Sequence, residues 1–194
     1  MINEVLVVLR DRLEDVLQAS QSQSDRWVVL AGVGTRAGAD PAATNNKLIL
    51  SLVNLQSDAT TNTFVPPAMV DDQYFGSPPP LNIEALILIS ANFDEHNYEA
   101  GLARLSAVIA FLQSSPVLTR ESAPQLPRGI DRLMIDFVSL DLAQVSSLML
   151  ATGAKYAPFA LYRLRRLPFS AAAGAGVAPM VSGGRTAGGM LPAH

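Results

Sequence analysis

From Ile83 to Phe93 the residues alternate strictly, with Ile83, Ala85, Ile87, Ile89, Ala91 and Phe93 on one side and Glu84, Leu86, Leu88 and Ser90 on the other. A period of two sends these sets to opposite faces of a strand, and both sets are apolar in the middle. The run therefore predicts a central strand covered on both sides. Asp94 and Glu95 follow at once, with Glu99 in the next turn. Acidic groups at a helix start accept from its free N–H groups and favour the positive end of its dipole. Tyr98, Leu102, Leu105, Val108, Ile109 and Leu112 then recur at helical spacing and predict the stripe that lays this helix on the sheet. Pro116 cannot continue a helix and pushes Ser115 toward extended geometry, so the helix ends there and the sequence PVLT opens a further extended stretch. Nearly every polar residue in this block has a structural task, which points away from an active site and toward an assembly part.

The flanks add similar elements. Ile2, Val5, Leu6, Leu9, Leu13, Val16 and Leu17 form the stripe of an amphipathic first helix, with Glu4, Arg10, Asp11, Glu14 and Asp15 mostly outside it. A polar loop, Ser20 to Asp25, precedes a short strand from Trp27 to Val33, and a second strand runs from Lys47 to Leu55. Ser57 to Pro80 is rich in Pro, Thr, Asp and Ser without a sustained period, and loops this long are functional or disordered. We read it as a projecting arm or hairpin held by Phe64, Val65, Tyr74 and Phe75, and an ordinary flexible excursion fits it equally well. Aromatic residues are enriched at interface cores, so Phe64, Tyr74 and Phe75 are candidate partner contacts. After a Pro- and Gly-containing loop (RESAPQLPRGI), Arg132 to Leu140 alternates as a strand, Asp141 caps a short helix to about Thr152, and Gly153 stops it. Phe159 to Leu167 is the last strand. It carries Arg163, Arg165 and Arg166, and strand arginines suit a sheet edge. Alternate strand residues share a face, so Arg163 and Arg165 are placed to meet carboxylates of a neighbouring subunit together; a solvated edge fits them as well. The expected fold is α/β (α+β): one domain, residues 1–167, with a mixed, mostly antiparallel sheet packed by two or three helices, a long projecting loop, and an extended Ala/Gly/Pro-rich tail over residues 168–194.

Composition narrows the function classes. Apolar residues make up 49% of the 194 and charged residues only 16%, a greasy surface balance that suits coverage by partner subunits. The net charge of −3 argues against nucleic acid. The charges are split, with 6 basic and 13 acidic residues through Pro116 and 8 basic against 4 acidic beyond it. An acidic front and a basic back would suit head-to-tail contact between copies, although the fold can equally mix the two sets on every face. There is no cysteine, hence no disulfide or thiol chemistry. Charged residues interrupt the N-terminal apolar stretch, so it does not read as a signal peptide, and no run approaches the roughly 20 apolar residues of a membrane span. Assembly in the cytoplasm is the expectation.

Candidate chemistry is sparse. GVGTRAGAD, Gly32 to Asp40, has Gly32, Gly34 and Ala37 at dinucleotide-fingerprint spacing, but the sequel has no apolar helical face and contains a proline, whereas pyrophosphate binding requires a helix directly after the turn. Asp94, Glu95 and His96 are consecutive at a helix start and point in different directions, which favours capping over a metal site. Asp71 and Asp72 read as solvated loop residues. With His96 and His194 the only histidines, a catalytic triad has little to rest on. No catalytic, cofactor-binding or metal-binding residue is assigned. Arg163, Arg165 and Arg166 lack the aromatic platform of a nucleic-acid site.

SLVNL at Ser51 to Leu55, LILISANF at Leu86 to Phe93, LSAVIAFLQ at Leu105 to Gln113, SPVLT at Ser115 to Thr119 and GAKYAPFALYRLRRL at Gly153 to Leu167, in this order, resemble the cap, or tail terminator, family of phage-tail-like contractile injection systems. The resemblance covers about Met1 to Leu167 and implies a structural, non-enzymatic protein. It further implies a homohexameric ring, seated on the terminal sheath and/or inner tube proteins at the end distal to the baseplate, in a particle that acts inside the cell or is released. Apart from the resemblance, which does not reach the tail, our own expectation is that the arginine-bearing strand or the tail pairs with exposed sheath strands by β-augmentation. The rival reading is a small-ligand or nucleotide-binding regulatory domain using Gly32 to Asp40.

Overall fold

The computed structural model describes residues 1–19, 26–33, 43–58, 68–70, 73–75 and 81–169, the two short segments 68–70 and 73–75 by backbone alone. In chain order these form α1 (Ile2–Gln18), β1 (Val28–Leu30), β2 (Lys47–Ser57), β3 (Ala68–Val70), β4 (Gln73–Phe75), β5 (Leu81–Asn92), α2 (Tyr98–Ser114), β6 (Val117–Thr119), β7 (Arg132–Val138), α3 (Leu142–Thr152) and β8 (Phe159–Phe169). Six strands make one sheet in the order β1-β2-β5-β8-β7-β6. Only β1 and β2 run parallel; every other pair is antiparallel. The mixed, mostly antiparallel sheet with packing helices matches the expected fold class.

β5 is central, hydrogen-bonded to β2 and β8. Its Ala85, Ile87, Ile89 and Ala91 are buried and lie in register with Leu48 and Leu50 of β2 and with Ala160, Tyr162 and Leu164 of β8. α2 lies against β2, β5 and β8, and α1 against β1 and α2. On the second face of the sheet, Leu88 is buried between its register partners Ser51 and Leu161, which are themselves buried.

Asp94 accepts from the Asn97 N–H and caps a 3-10 turn, Glu95–Asn97, that leads into α2. The buried line of α2 is Gly101, Leu105, Val108 and Leu112. Tyr98 and Leu102, expected in that stripe, are exposed. Gly101 explains the rotation: a Cβ there would stand 2.6 Å from Cδ2 of Phe93, so the helix seats its glycine against that ring.

Three further features depart from the sequence reading. The loop after β6 is part of the core, with Ala123, Leu126 and Ile130 buried. Arg120 holds it by donating to the carbonyls of Leu126 and Pro127. Glu14, expected on the outer side of α1, is buried, and its carboxylate accepts from the N–H groups of Trp27 and Val28 where β1 begins. β8 is not an edge strand: it pairs with β5 on one side and with β7 on the other.

Candidate partner-contact surfaces

The central position of β8 decides what its arginines do. Ala85 pairs with Leu164 and Ile83 with Leu167, so Glu84 faces two residues, Arg165 and Arg166, across a β-bulge. Arg166 takes the left-handed conformation there, with φ of 68°. The extra residue lets Leu164 and Leu167, three apart, both enter the core, and leaves Arg166 exposed.

Arg163 and Arg165 do share a face and do meet carboxylates together, but those carboxylates belong to the same chain. Arg165 donates from Nε to Glu84 Oε1 at 3.1 Å, and Arg163 Nε lies 3.4 Å from the other oxygen of Glu84. Arg165 Nη1 also stands 3.7 Å from Asp136 on β7. The Glu84 side chain is only 13% exposed, so one half-desolvated carboxylate lies under two guanidinium groups on the face of the sheet away from α1 and α2. Partly buried, these pairs link β5, β8 and β7 across the sheet face. Over Leu161 to Leu164 the backbone of the arginine-bearing strand is already paired on both sides, which leaves no open edge for β-augmentation there.

Of the other candidates, Phe64 lies outside the described residues. Tyr74 and Phe75 sit on β4, which pairs with β3 as a separate two-stranded hairpin between β2 and β5, so the expected arm contains a hairpin. Their side chains are outside the described residues. Gly32 follows β1, residues 34–40 lie outside the described residues, and residues 43–46 form a turn into β2. Among the described residues no group of three His, Cys, Asp or Glu is placed to hold a metal ion, and no helix is long and apolar enough to cross a membrane. Asp94 of the Asp-Glu-His run is engaged locally. It accepts from the Asn46 side-chain amide at 2.8 Å and from Asn97, and these bonds, that to Asn46 first, hold its carboxyl below the ordinary value.

A groove of about 480 Å³ between α1 and the loop after β6 is lined by Val7, Asp11, Arg12, Asp15, Pro124 and Gln125 among others. Its charges are of both signs. On α2, the Arg104 guanidinium lies 3.7 Å from the Trp27 ring centroid and 5.5 Å from that of Phe93, tying α2 to the start of β1.

One surface was not singled out from the sequence. α3 is well formed: Asp141 and Gln144 bond reciprocally across its first turn, and Gly153 closes it with φ of 61°. Yet it buries none of its residues, and Leu142 and Leu150 are 83% and 86% exposed. Phe137 and Tyr156 nearby are exposed too.

A surface with one intramolecular ion cluster, an apolar outlying helix and a hairpin arm suits contact with other proteins better than chemistry. The family model described as the Pvc16 N-terminal domain matches residues 4–183. The chain belongs to this family. The match bears out the resemblance drawn from the sequence blocks and runs beyond Leu167, where those blocks end. Among curated protein sequences none matches. Two solved structures share the fold. The sheath/tube terminator of PVC, an extracellular contractile injection system, in its extended state is 15% identical with a TM-score of 0.54, over 97% of this chain and 64% of that one. The tube-terminating cap of the anti-feeding prophage is 14% identical with a TM-score of 0.52, over 92% of this chain and 59% of that one. The chain thus spans less than two thirds of the length of either.

Proposed function

We propose that the chain is a structural terminator, or cap, of a contractile injection system, without catalytic activity. The observation that carries this reading is the family match over nearly the whole chain, joined to a fold shared with two proteins that are themselves terminators. The described surface supports it in physical terms. Its strongest charged cluster is satisfied within the chain, and its most exposed apolar side chains stand on an outlying helix rather than in an enclosed pocket. In this reading the protein forms a closed ring, six-fold to match the tube and sheath, with one face complementary to the last layer and the other a poor template for a further one. Growth then stops at the end distal to the baseplate. Assembly takes place in the cytoplasm, and the finished particle is released or works inside its producer.

Residues 1–167 carry the ring-forming body and residues 168–194 an extension that grips the terminal sheath. With β8 paired on both sides over Leu161 to Leu164, the extension is the segment proposed for β-augmentation. Phe64, Tyr74 and Phe75 of the arm and the exposed Arg166 are further contacts to tube or sheath. Arg163 and Arg165 contribute by shaping the sheet face through Glu84. The family match and the shared fold favour the terminator reading over the nucleotide-binding rival. The test is to assemble particles with and without this chain and measure their lengths by electron microscopy. Loss of a defined length, with overgrown tube or sheath, is expected without it; an unchanged length distribution overturns the proposal.

A further inference from the structure

We infer that α3 is one half of a head-to-tail contact between copies of this chain, and that the other half lies at the opposite end of the sheet. This rests on the ring proposed above and adds which surfaces close it.

The connections of the sheet define two ends. At one, β5 leads into α2, and β7 leads through α3 into β8. At the other, β2 ends, β5 and β7 begin, and β8 finishes; the register places Ser57 and Leu167 beside Ile83 there. A 12-residue strand separates them by about 40 Å.

The α3 end is apolar and acidic. No charged residue occurs from Leu142 to Ala154. Val145, Leu148, Met149 and Thr152 form a half-buried inner stripe, while Leu142, Ser146 and Leu150 are exposed on the outer side. At this end of the sheet Asp94, Glu95, Glu99 and Asp141 are exposed, against Arg26 and Lys155, with Lys47 half-buried beside them. A capped helix of such low polarity, only half-buried on its inner side and with Leu142 and Leu150 open on its outer side, is explained by burial in an assembly.

The opposite end carries the complement. Leu55 and Leu81 are 41% and 49% exposed there. At this end Arg128, Arg132 and Arg166 are exposed and make no ion pair among the described residues, Arg120 is bonded to Asp131, and Glu121 is the other exposed acid of the loop after β6. A net acidic balance of exposed charge at the α3 end and a net basic one at the opposite end, each with exposed apolar side chains, is the pattern of a heterologous interface, in which each copy offers a different surface to each neighbour. A second copy is the occupant that always carries the matching half.

The full-length chain tests this by light scattering across a concentration series, followed by imaging. Wild type is expected to form closed rings. Leu142→Glu with Leu150→Glu, both at exposed positions, is expected to weaken association at least about 100-fold, and Arg128→Glu with Arg132→Glu is expected to do the same. Circular dichroism and thermal melting check that each variant is folded. The decisive arm mixes the two variants. One retains an intact basic end and the other an intact α3, so the mixture should yield 1:1 dimers that grow no further. If the wild type forms rings and the variants form them equally well, the ring reading survives and this interface is wrong. Should α3 variants form normal rings but fail to stay on tube or sheath, α3 faces those proteins instead and the self-contact is overturned. A wild type that stays monomeric at every concentration overturns the ring and the interface together.

Discussion

Glu14 offers a demanding test of the packing argument. Its carboxylate accepts from the Trp27 N–H at 2.9 and 3.0 Å, from the Val28 N–H at 2.8 Å and from the Gln18 side-chain amide at 3.0 Å. Val28 is fully buried, so on Glu14→Ala its N–H is left without a partner or access to water. A hydrogen bond to a charged acceptor contributes about 1.5–3 kcal/mol, and a stranded buried donor costs about 1–3 kcal/mol. The Trp27 N–H is less enclosed and recovers part of its loss from water. Alanine's better helix propensity returns only a few tenths of a kcal/mol. The expected net destabilisation is about 2–4 kcal/mol, because α1 and β1 lose the group that joins them. Glu14→Gln keeps the shape but turns an amide NH2 toward a donor, and should lose about half as much. Urea unfolding at fixed protein concentration, with the slope unchanged, reads these values. Asp15→Ala, one residue on and well exposed, is the control and should stay within about 0.5 kcal/mol. An E14A midpoint matching that of the control would refute the reasoning.

Four further outcomes are expected. Glu84→Gln removes the shared charge beneath Arg163 and Arg165 and should cost about 1–2 kcal/mol, between the values for exposed and buried pairs; a neutral result by the same denaturation assay would show the cluster to be ornamental. Tyr162 keeps its hydroxyl buried with no hydrogen-bond partner among the described residues, and burial raises its pKa, so Tyr162→Phe should be neutral or stabilising by up to about 1 kcal/mol. A clear loss in melting temperature would reveal a partner for the hydroxyl. Asp94 has a folded pKa below its ordinary value near 3.8, chiefly through Asn46, so its contribution is present above that value and disappears as pH falls through the lower folded one. The stability gap between wild type and Asp94→Ala should therefore narrow between pH 6 and pH 3, and a gap that widens on acidification contradicts the assignment. Deleting residues 170–194 should leave ring formation intact but reduce cap occupancy on sheath in electron micrographs; full occupancy would dismiss the tail's gripping role.

What could be read from residues alone followed the strength of local signals. β5 was legible because its alternation runs unbroken, and α3 because Asp141, Gln144 and Gly153 carry capping chemistry at fixed spacing. The burial of Ala123, Leu126 and Ile130 was not, since a loop has no period to mark which side faces the core. Tyr98 and Leu102 fitted a helical stripe as well as Gly101 did not, yet the close seat of Phe93 on Gly101 turned the helix by part of a turn. Arginines on β8 suggested an edge because exposed charge and an open edge look alike in one dimension; their carboxylate partner, Glu84, lies 81 residues away from Arg165 in the chain. Glu14 was hidden for a related reason, as backbone donors from β1 meet it only after folding. The partner-contact set was the least legible part. α3 was recognised as a helix, but only its exposure in the folded chain marks it as a surface.

The central claim is that this protein ends a stacked polymer. Labelling the chain and locating it on intact particles by electron microscopy tests that most directly. The account predicts density at one end only, opposite the baseplate, in a single layer on every particle of finished length. Label distributed along the shaft, or found at the baseplate, would contradict it.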